Sequence, residues 1–150
     1  MMKGKHILIG VTGGTAAYKI PFLVRECKKL GADVNIVMTE AATEFVTPLT
    51  LSTLSRNDVI VGTFPEKSSM GGRRGTWHID LARWANVAII APATANVLAK
   101  LAHGYADDAV TTLVLALKCP VVVSPAMDVD MWHHQTTQRN VTMLREMGYH

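Results

Sequence analysis

The stretch HILIGVTGGTAAYKIPFLVRECKKLGADVNIVM, residues 6–38, decides the fold. Its two ends, 6–11 and 33–38, are short apolar runs rich in β-branched residues, which predict buried strands. Between them, apolar residues recur at helical spacing as far as Gly31, which predicts one helix with Pro21 in its first turn or at a kink. The strand–helix–strand order therefore predicts two parallel strands joined by a right-handed crossover.

The rest of the chain repeats this alternation of strand and helix. Three more strands are predicted at 58–62, 86–92 and 120–127, and six more helices at 39–45, from 47 onwards, and at 78–85, 93–104, 107–118 and 136–148. Residues 63–77 are predicted to be a loop, and Tyr149 and His150 are expected to begin a further strand. The pattern predicts the α/β class: a Rossmann-like, flavodoxin-like three-layer sandwich with a central parallel sheet.

Composition narrows the functional classes. The chain has 150 residues, the size of one domain, and 49% of them are hydrophobic. No apolar run reaches the length of about 20 residues that a membrane span needs. The net charge of +3 comes without a basic block, which argues against nucleic acid and favours a small anionic ligand. Cys27 and Cys119 lie far apart in the sequence, so we expect reduced thiols and a cytoplasmic protein.

Polar and small residues follow the predicted strands, where parallel sheets bind ligands. Gly13 and Gly14 follow the first strand, in neither a GxGxxG nor a P-loop pattern. The second strand ends at Met38-Thr39, without the acidic residue expected of a dinucleotide site. These features favour a mononucleotide over NAD, and a tight turn without ligand is the alternative.

Other candidates have two interpretations each. Thr94 and Asn96 follow the fourth strand and could cap a helix or bind a phosphate. His78, at the start of a predicted helix, is either a surface histidine or a neutral general base. Lys67, Arg73 and Arg74 lie in the predicted loop, and their side chains are either simply solvated or clamp an anionic substrate. The adjacent His133 and His134 lack metal-ligand spacing, so no metal site is predicted.

Five segments in order cover nearly the whole chain: GVTGGTAAYK, MTEAATEFVTPLTL, HIDLARWA, IAPATANVLAKLAHGYADDAVTT and PAMDVDMW. Together they resemble the homo-oligomeric flavin-containing cysteine decarboxylases, especially the phosphopantothenoylcysteine decarboxylase domain of coenzyme A biosynthesis. The resemblance implies FMN, bound between the subunits of a homotrimer that assembles further into a dodecamer. The implied substrate is 4'-phosphopantothenoylcysteine, and the implied partner is a phosphopantothenate–cysteine ligase, fused or separate.

The resemblance also implies roles for individual residues. His78 is the implied catalytic residue and Asp128 the implied substrate-binding residue. The implied FMN-binding residues are Gly13, Gly14, Thr15, Thr39, Phe45, Thr94, Ala95, Asn96, Val97, Ala126 and Met127. In the implied reaction the cysteine thiol end is oxidised to a thioaldehyde, and loss of carbon dioxide then gives an enethiolate.

The sequence departs from the family pattern at two places. Asp128 stands where the family has an asparagine whose amide contacts the substrate carboxylate, and an ionised Asp would repel that group. We also expect residues 1–150 to be a flavoprotein domain without the C-terminal substrate flap and its cysteine. Two alternatives therefore remain: a peptidyl-cysteine decarboxylase that releases an enethiol, and a non-catalytic FMN-binding regulatory subunit.

Overall fold

The computed structural model describes residues 2–64 and 75–150. Five parallel strands form one sheet in the order β3-β2-β1-β4-β5. Their bounds are His6–Val11 for β1, Asp33–Met38 for β2, Val59–Val61 for β3, Val87–Ala93 for β4 and Val121–Pro125 for β5. The strand order reverses between β1 and β4, so a ligand crevice is expected above their carboxyl ends.

Two 3₁₀ helices and seven α-helices accompany these strands within the described ranges, the last two of them after β5. The 3₁₀ helices are Thr15–Lys19 and Glu40–Glu44. The α-helices are Ile20–Lys29 (α1), Pro48–Ser55 (α2), Trp77–Trp84 (α3), Ala95–His103 (α4), Ala109–Ala116 (α5), Val129–His133 (α6) and Gln135–Glu146 (α7).

The predicted helix after β1 is thus two helices, a 3₁₀ helix followed by α1. Pro21 lies in the first turn of α1, where its missing N–H leaves no intrahelical bond unmade. The helix predicted at 39–45 is likewise a 3₁₀ helix, and α6 was not predicted.

Each face of the sheet carries its own core, because successive strand residues point to opposite sides. Ile9, Ile36 and Met38 belong to the core under α1 and α2. Leu8, Val37 and Ile90 belong to the core packed with α3, α4, α5 and α7. The two cores confirm the predicted α/β sandwich of three layers.

A helix was predicted from residue 47 onwards, and α2 begins at Pro48. Thr47 Oγ1 accepts a hydrogen bond from Thr50 N at 3.1 Å, and so caps α2. At the sheet edge, His150 N donates to Val121 O at 2.9 Å and Val123 N donates to His150 O at 2.7 Å, as in a parallel ladder.

Of the predicted loop, residues 65–74 lie outside the described residues. No helix in the described ranges is long and apolar enough to cross a bilayer.

Candidate functional site

A cavity of about 870 Å³ opens above the carboxyl ends of all five strands. Its volume lies in the upper part of the roughly 300–1,000 Å³ range of small-molecule sites. All eleven residues predicted to bind FMN, and also Asp128, line it. The structure therefore brings together residues that are more than 100 positions apart in the sequence.

Gly13 and Gly14 form a close-packed turn at the base of the cavity. A Cβ atom on Gly13 would lie 2.6 Å from Ala41 Cβ and 2.9 Å from the Ala41 carbonyl carbon. A Cβ atom on Gly14 would lie 3.3 Å from Thr94 Cγ2. The absence of side chains here lets the loop after β1 pack against the loops after β2 and β4, so that backbone lines the cavity.

Thr12, fully buried, holds the loops after β1 and β4 together, and the sequence did not single it out. Its hydroxyl donates to the carbonyl oxygen of Pro92. Thr12 Oγ1 in turn accepts a hydrogen bond from Thr94 N at 3.3 Å. A threonine at the end of an apolar strand has no distinctive sequence signal, because it is also a common strand residue.

The N-terminus of α4 faces the cavity. Thr94 Oγ1 accepts from Val97 N at 3.2 Å, and Thr94 O accepts from Leu98 N at 2.9 Å. The amides of Ala95 and Asn96, in the first turn, have no acceptor within the helix. Of the two interpretations of Thr94, the capping one is thus confirmed. Capping is also compatible with anion binding, because it aims two free amides at the cavity.

Thr39 supplies an unsatisfied polar atom on the cavity wall. The residue is buried, and its Oγ1 has no hydrogen-bond partner among the described residues. Thr39 precedes the 3₁₀ helix Glu40–Glu44, but its side chain makes no capping bond to that helix. A buried hydroxyl without a partner destabilises a protein by about 1–3 kcal/mol. A ligand with a polar edge at this position would remove that cost.

Asp128 lies at the exposed rim of the cavity and caps α6. Its Oδ1 accepts from Asp130 N at 2.9 Å, and its backbone oxygen accepts from Trp132 N at 2.9 Å. The capping bond occupies Oδ1, and Oδ2 takes no part in it. Met127 lines the cavity before Asp128, and Met131 lines it one turn later.

Lys100 is a second charged residue on the cavity wall, and it too was not predicted from the sequence. Lys100 Nζ lies 2.8 Å from Asp107 Oδ1 and 3.2 Å from Asp108 Oδ2, and all three residues line the cavity. The hydrogen bond with Asp107 raises the pKa of Lys100 above its ordinary value. Lys100 follows Asn96 by four residues, and this helical spacing is the signal that could have placed both on one face.

His78 does not line the cavity in the described part of the chain. It is the second residue of α3, half-buried, with its ring edge-on to Trp77 at 5.6 Å between centroids. Trp77 Nε1 donates to Thr63 O at 3.0 Å, and Thr63 does line the cavity. The start of α3 is therefore tied to the cavity wall, and the catalytic role of His78 stays a prediction.

The cavity fits a phosphate-bearing cofactor with a planar polar ring. Helix amides face it for the phosphate, the glycine turn allows close approach, and Thr39 offers an unpaired hydroxyl. No group of three or more His, Cys, Asp or Glu side chains that could hold a metal occurs within 2–64 and 75–150. Lys67, Arg73 and Arg74 lie outside the described residues.

Comparisons with known proteins agree with this geometry. The Flavoprotein family model matches residues 1–150. The coenzyme A biosynthesis bifunctional protein CoaBC of Bacillus subtilis (strain 168) is 44% identical over 149 residues, which cover 99% of this chain and 36% of that protein. The chain thus spans about a third of the length of the curated relatives that it matches.

Two solved structures are similar along almost the whole chain. The FMN-dependent cysteine decarboxylase SpaF has a TM-score of 0.89 and 36% identity, covering 99% of this chain and 83% of its own. A PPC decarboxylase mutant complexed with pantothenoylaminoethenethiol has a TM-score of 0.80 and 30% identity, covering 97% of this chain and 79% of its own.

Proposed function

The chain belongs to the Flavoprotein family, and from this premise we propose that it binds FMN and decarboxylates 4'-phosphopantothenoylcysteine in coenzyme A biosynthesis. The observation that carries the proposal is the cavity itself: all eleven residues predicted to bind FMN line it together. The likeness to CoaBC and to a PPC decarboxylase supports this choice of substrate.

The cofactor phosphate is assigned to the N-terminus of α4. The amides of Ala95 and Asn96 point their positive dipole ends at it, and the turn at Gly13 and Gly14 lets the backbone approach it. The ring is assigned to the side of the cavity lined by Phe45, Ala126 and Met127, whose apolar surfaces exclude water. Thr39 Oγ1 would then form the hydrogen bond that it lacks among the described residues.

Bound FMN supplies a two-electron acceptor, so that the carboxylate is lost without an unstabilised carbanion. The protein has to hold the substrate thiol and carboxylate next to the ring and keep water away. Met127 and Met131 provide apolar surface at this position, and Asp128 lies between them. We assign Asp128 to the binding of the substrate's carboxyl end, where its free oxygen can share a proton with the carboxylate.

We assign general acid–base catalysis to His78, supplied from a neighbouring copy. His78 does not line the cavity that the described residues of its own chain form. The proposed assembly is a homotrimer, or a dodecamer built from it, with FMN between subunits. A cavity open at its rim is compatible with a second chain completing the site. We further propose a cytoplasmic protein, because Cys27 and Cys119 are both free.

A second candidate function is oxidative decarboxylation of a C-terminal cysteine in a peptide. The similarity to SpaF, an FMN-dependent cysteine decarboxylase, favours it. The two functions differ in the substrate, and the cofactor and the cavity are common to both.

The experiment is an incubation of the FMN-loaded protein with each substrate, 4'-phosphopantothenoylcysteine and a peptide that ends in cysteine. The proposal predicts carbon dioxide release from the phosphorylated substrate and a new enethiol or thiol product. Release from the peptide alone would establish the second candidate instead. No release from either substrate, by a protein saturated with FMN, would contradict both.

A further inference from the structure

Lys100, Asp107 and Asp108 form a charged cluster on the cavity wall to which the proposed reaction assigns no role. Lys100 Nζ lies 2.8 Å from Asp107 Oδ1 and 3.2 Å from Asp108 Oδ2. An ammonium has one more N–H donor than these two ion pairs use, and the second oxygen of Asp107 takes no part in them. Lys19 also lines the cavity, but no carboxylate in the described ranges pairs with it. The charged cluster is thus a distinct part of the wall.

The start of α5 holds the charged cluster in place. Asp108 Oδ1 accepts from Thr111 N at 2.8 Å, in the capping box of α5. The side chains of Lys100 and Asp108 are only 22% and 19% exposed, whereas that of Asp107 is 57% exposed. Hydrogen bonds from a ligand to partly buried, fixed groups are screened less than contacts at an open surface.

The charged cluster lies beside the point where the strand order reverses. A Cβ atom on Gly10 of β1 would lie 2.7 Å from Ile90 Cδ1 of β4 and 3.1 Å from Val110 Cγ1 of α5. The first turn of α5, which Asp108 caps, therefore packs on β1 and β4 next to their carboxyl ends. In open parallel sheets this is the middle of the ligand crevice.

A polyol is the ligand group whose chemistry matches the charged cluster. Each hydroxyl can donate to a carboxylate oxygen and accept from an ammonium. A phosphate would be repelled by the net negative charge of the cluster, and an apolar ring would leave its donors and acceptors unpaired. Thr39 Oγ1, buried and without a partner among the described residues, points independently to a polar ligand in the same cavity.

We propose that Lys100, Asp107 and Asp108 form a polyol subsite that binds the hydroxyl groups of the ribityl chain of FMN. Lys100 donates to these hydroxyls, and the two carboxylates accept from them. This inference rests on the proposed function in that it assumes FMN in the cavity, where the ribityl chain joins the ring to the phosphate at α4. It adds to that function binding residues that the sequence did not single out.

The test is a fluorescence titration of the FMN-free protein with FMN, riboflavin and lumiflavin. Riboflavin lacks the phosphate, and lumiflavin has a methyl group in place of the ribityl chain. The ratio of riboflavin to lumiflavin affinity therefore isolates the ribityl contacts. Because hydrogen bonds to charged groups contribute about tenfold or more each, the parent should prefer riboflavin by at least about tenfold. Lys100→Met and Asp107→Ala should each lower this ratio about fivefold or more and leave the affinity for lumiflavin unchanged.

Lys28→Met is the matched control. Lys28 Nζ lies 3.3 Å from Asp33 Oδ1 and its side chain is 28% exposed, close to the value for Lys100, but this ion pair lies at the amino end of β2, away from the cavity. The control should keep the parent's ratio. Asp107→Ala retains the Asp108 cap of α5, so it decides the test if Lys100→Met does not fold.

Two results would overturn the proposal. One is a parent-like ratio of riboflavin to lumiflavin affinity in the folded variants of the charged cluster. The other is a fall in the ratio of FMN to riboflavin affinity alone, because the charged cluster would then serve the phosphate.

The outcomes for the polyol subsite and for the proposed function are separable. A preference for riboflavin that depends on the charged cluster, without carbon dioxide release from either substrate, would support the polyol subsite and contradict the decarboxylase. Carbon dioxide release by the FMN-loaded protein, with the parent's ratio in every variant, would do the reverse. A parent protein that binds neither probe, or both equally, would overturn the polyol subsite whatever its catalytic activity.

Discussion

Replacement of Thr39 by valine should change protein stability and cofactor affinity in opposite directions. Thr39 Oγ1 is buried on the cavity wall without a hydrogen-bond partner among the described residues. Because an unsatisfied buried hydroxyl costs about 1–3 kcal/mol, we expect Thr39→Val to raise the free energy of unfolding of the FMN-free protein by about 1 kcal/mol or more. For a chain of this size that corresponds to a rise in Tm of about 2–4 °C per kcal/mol.

The same substitution should weaken FMN binding. If the hydroxyl bonds to the cofactor, its loss costs about 0.5–1.5 kcal/mol, or about a 2- to 10-fold increase in Kd. Thermal unfolding of the FMN-free protein gives the first quantity, and a fluorescence titration with FMN gives the second.

Thr111 offers a matched control, since it is buried but its hydroxyl is bonded. Thr111 Oγ1 accepts from Asp108 N at 3.2 Å and takes part in the capping box of α5. Thr111→Val should therefore lower the free energy of unfolding by about 1–2 kcal/mol. A Thr39→Val protein destabilised as much as Thr111→Val, with unchanged FMN affinity, would refute the assignment of an unpaired hydroxyl to the cofactor.

Three further predictions follow from the contacts. Gly13→Ala should lower the free energy of unfolding by about 1–3 kcal/mol, because its Cβ would overlap the backbone of Ala41; urea unfolding measures this, and an unchanged midpoint would contradict it. Partial burial opposes ionisation of Asp33, but hydrogen bonds from Asn57 and Lys28 outweigh it and lower its pKa. The stability that Asp33 contributes is therefore present above its unfolded pKa, near 3.9, and is lost as the pH falls through its lower folded pKa. Unfolding curves at several acidic pH values should show that the free energy of unfolding depends less on pH in Asp33→Asn than in the parent protein. An identical dependence in the two proteins would contradict this prediction. His78→Asn should keep FMN affinity and lose turnover in the carbon dioxide assay, whereas full turnover would remove His78 from the mechanism.

The class of fold and most of the cavity wall could be predicted from the sequence. Buried parallel strands have continuous apolar runs, and their carboxyl ends meet at one edge of the sheet, so Gly13, Thr94 and Asn96 were placed together from local patterns. The place of Thr39 in the site was implied only by the family resemblance. The division between the first 3₁₀ helix and α1 could not be predicted, because both have similar apolar spacing. Helix α6 has five residues, too few to show a period.

The residues that were missed share a physical reason. Lys19 and Lys100 lie one turn or more away from the strand ends, and only the packing of the helices brings them to the cavity. The ion pairs of Lys100 with Asp107 and Asp108 also depend on the folded structure. The role proposed for His78 requires a second copy of the chain beside the cavity, and the pattern of a single sequence does not contain that geometry.

The most direct test of the central claim is titration of the purified protein with FMN, followed by the visible absorbance and fluorescence of the flavin. The cavity predicts saturable uptake of one FMN per chain, with a perturbed flavin spectrum and a raised Tm of the loaded protein. A folded protein that takes up no FMN at saturating concentration would contradict the proposal that the cavity binds FMN.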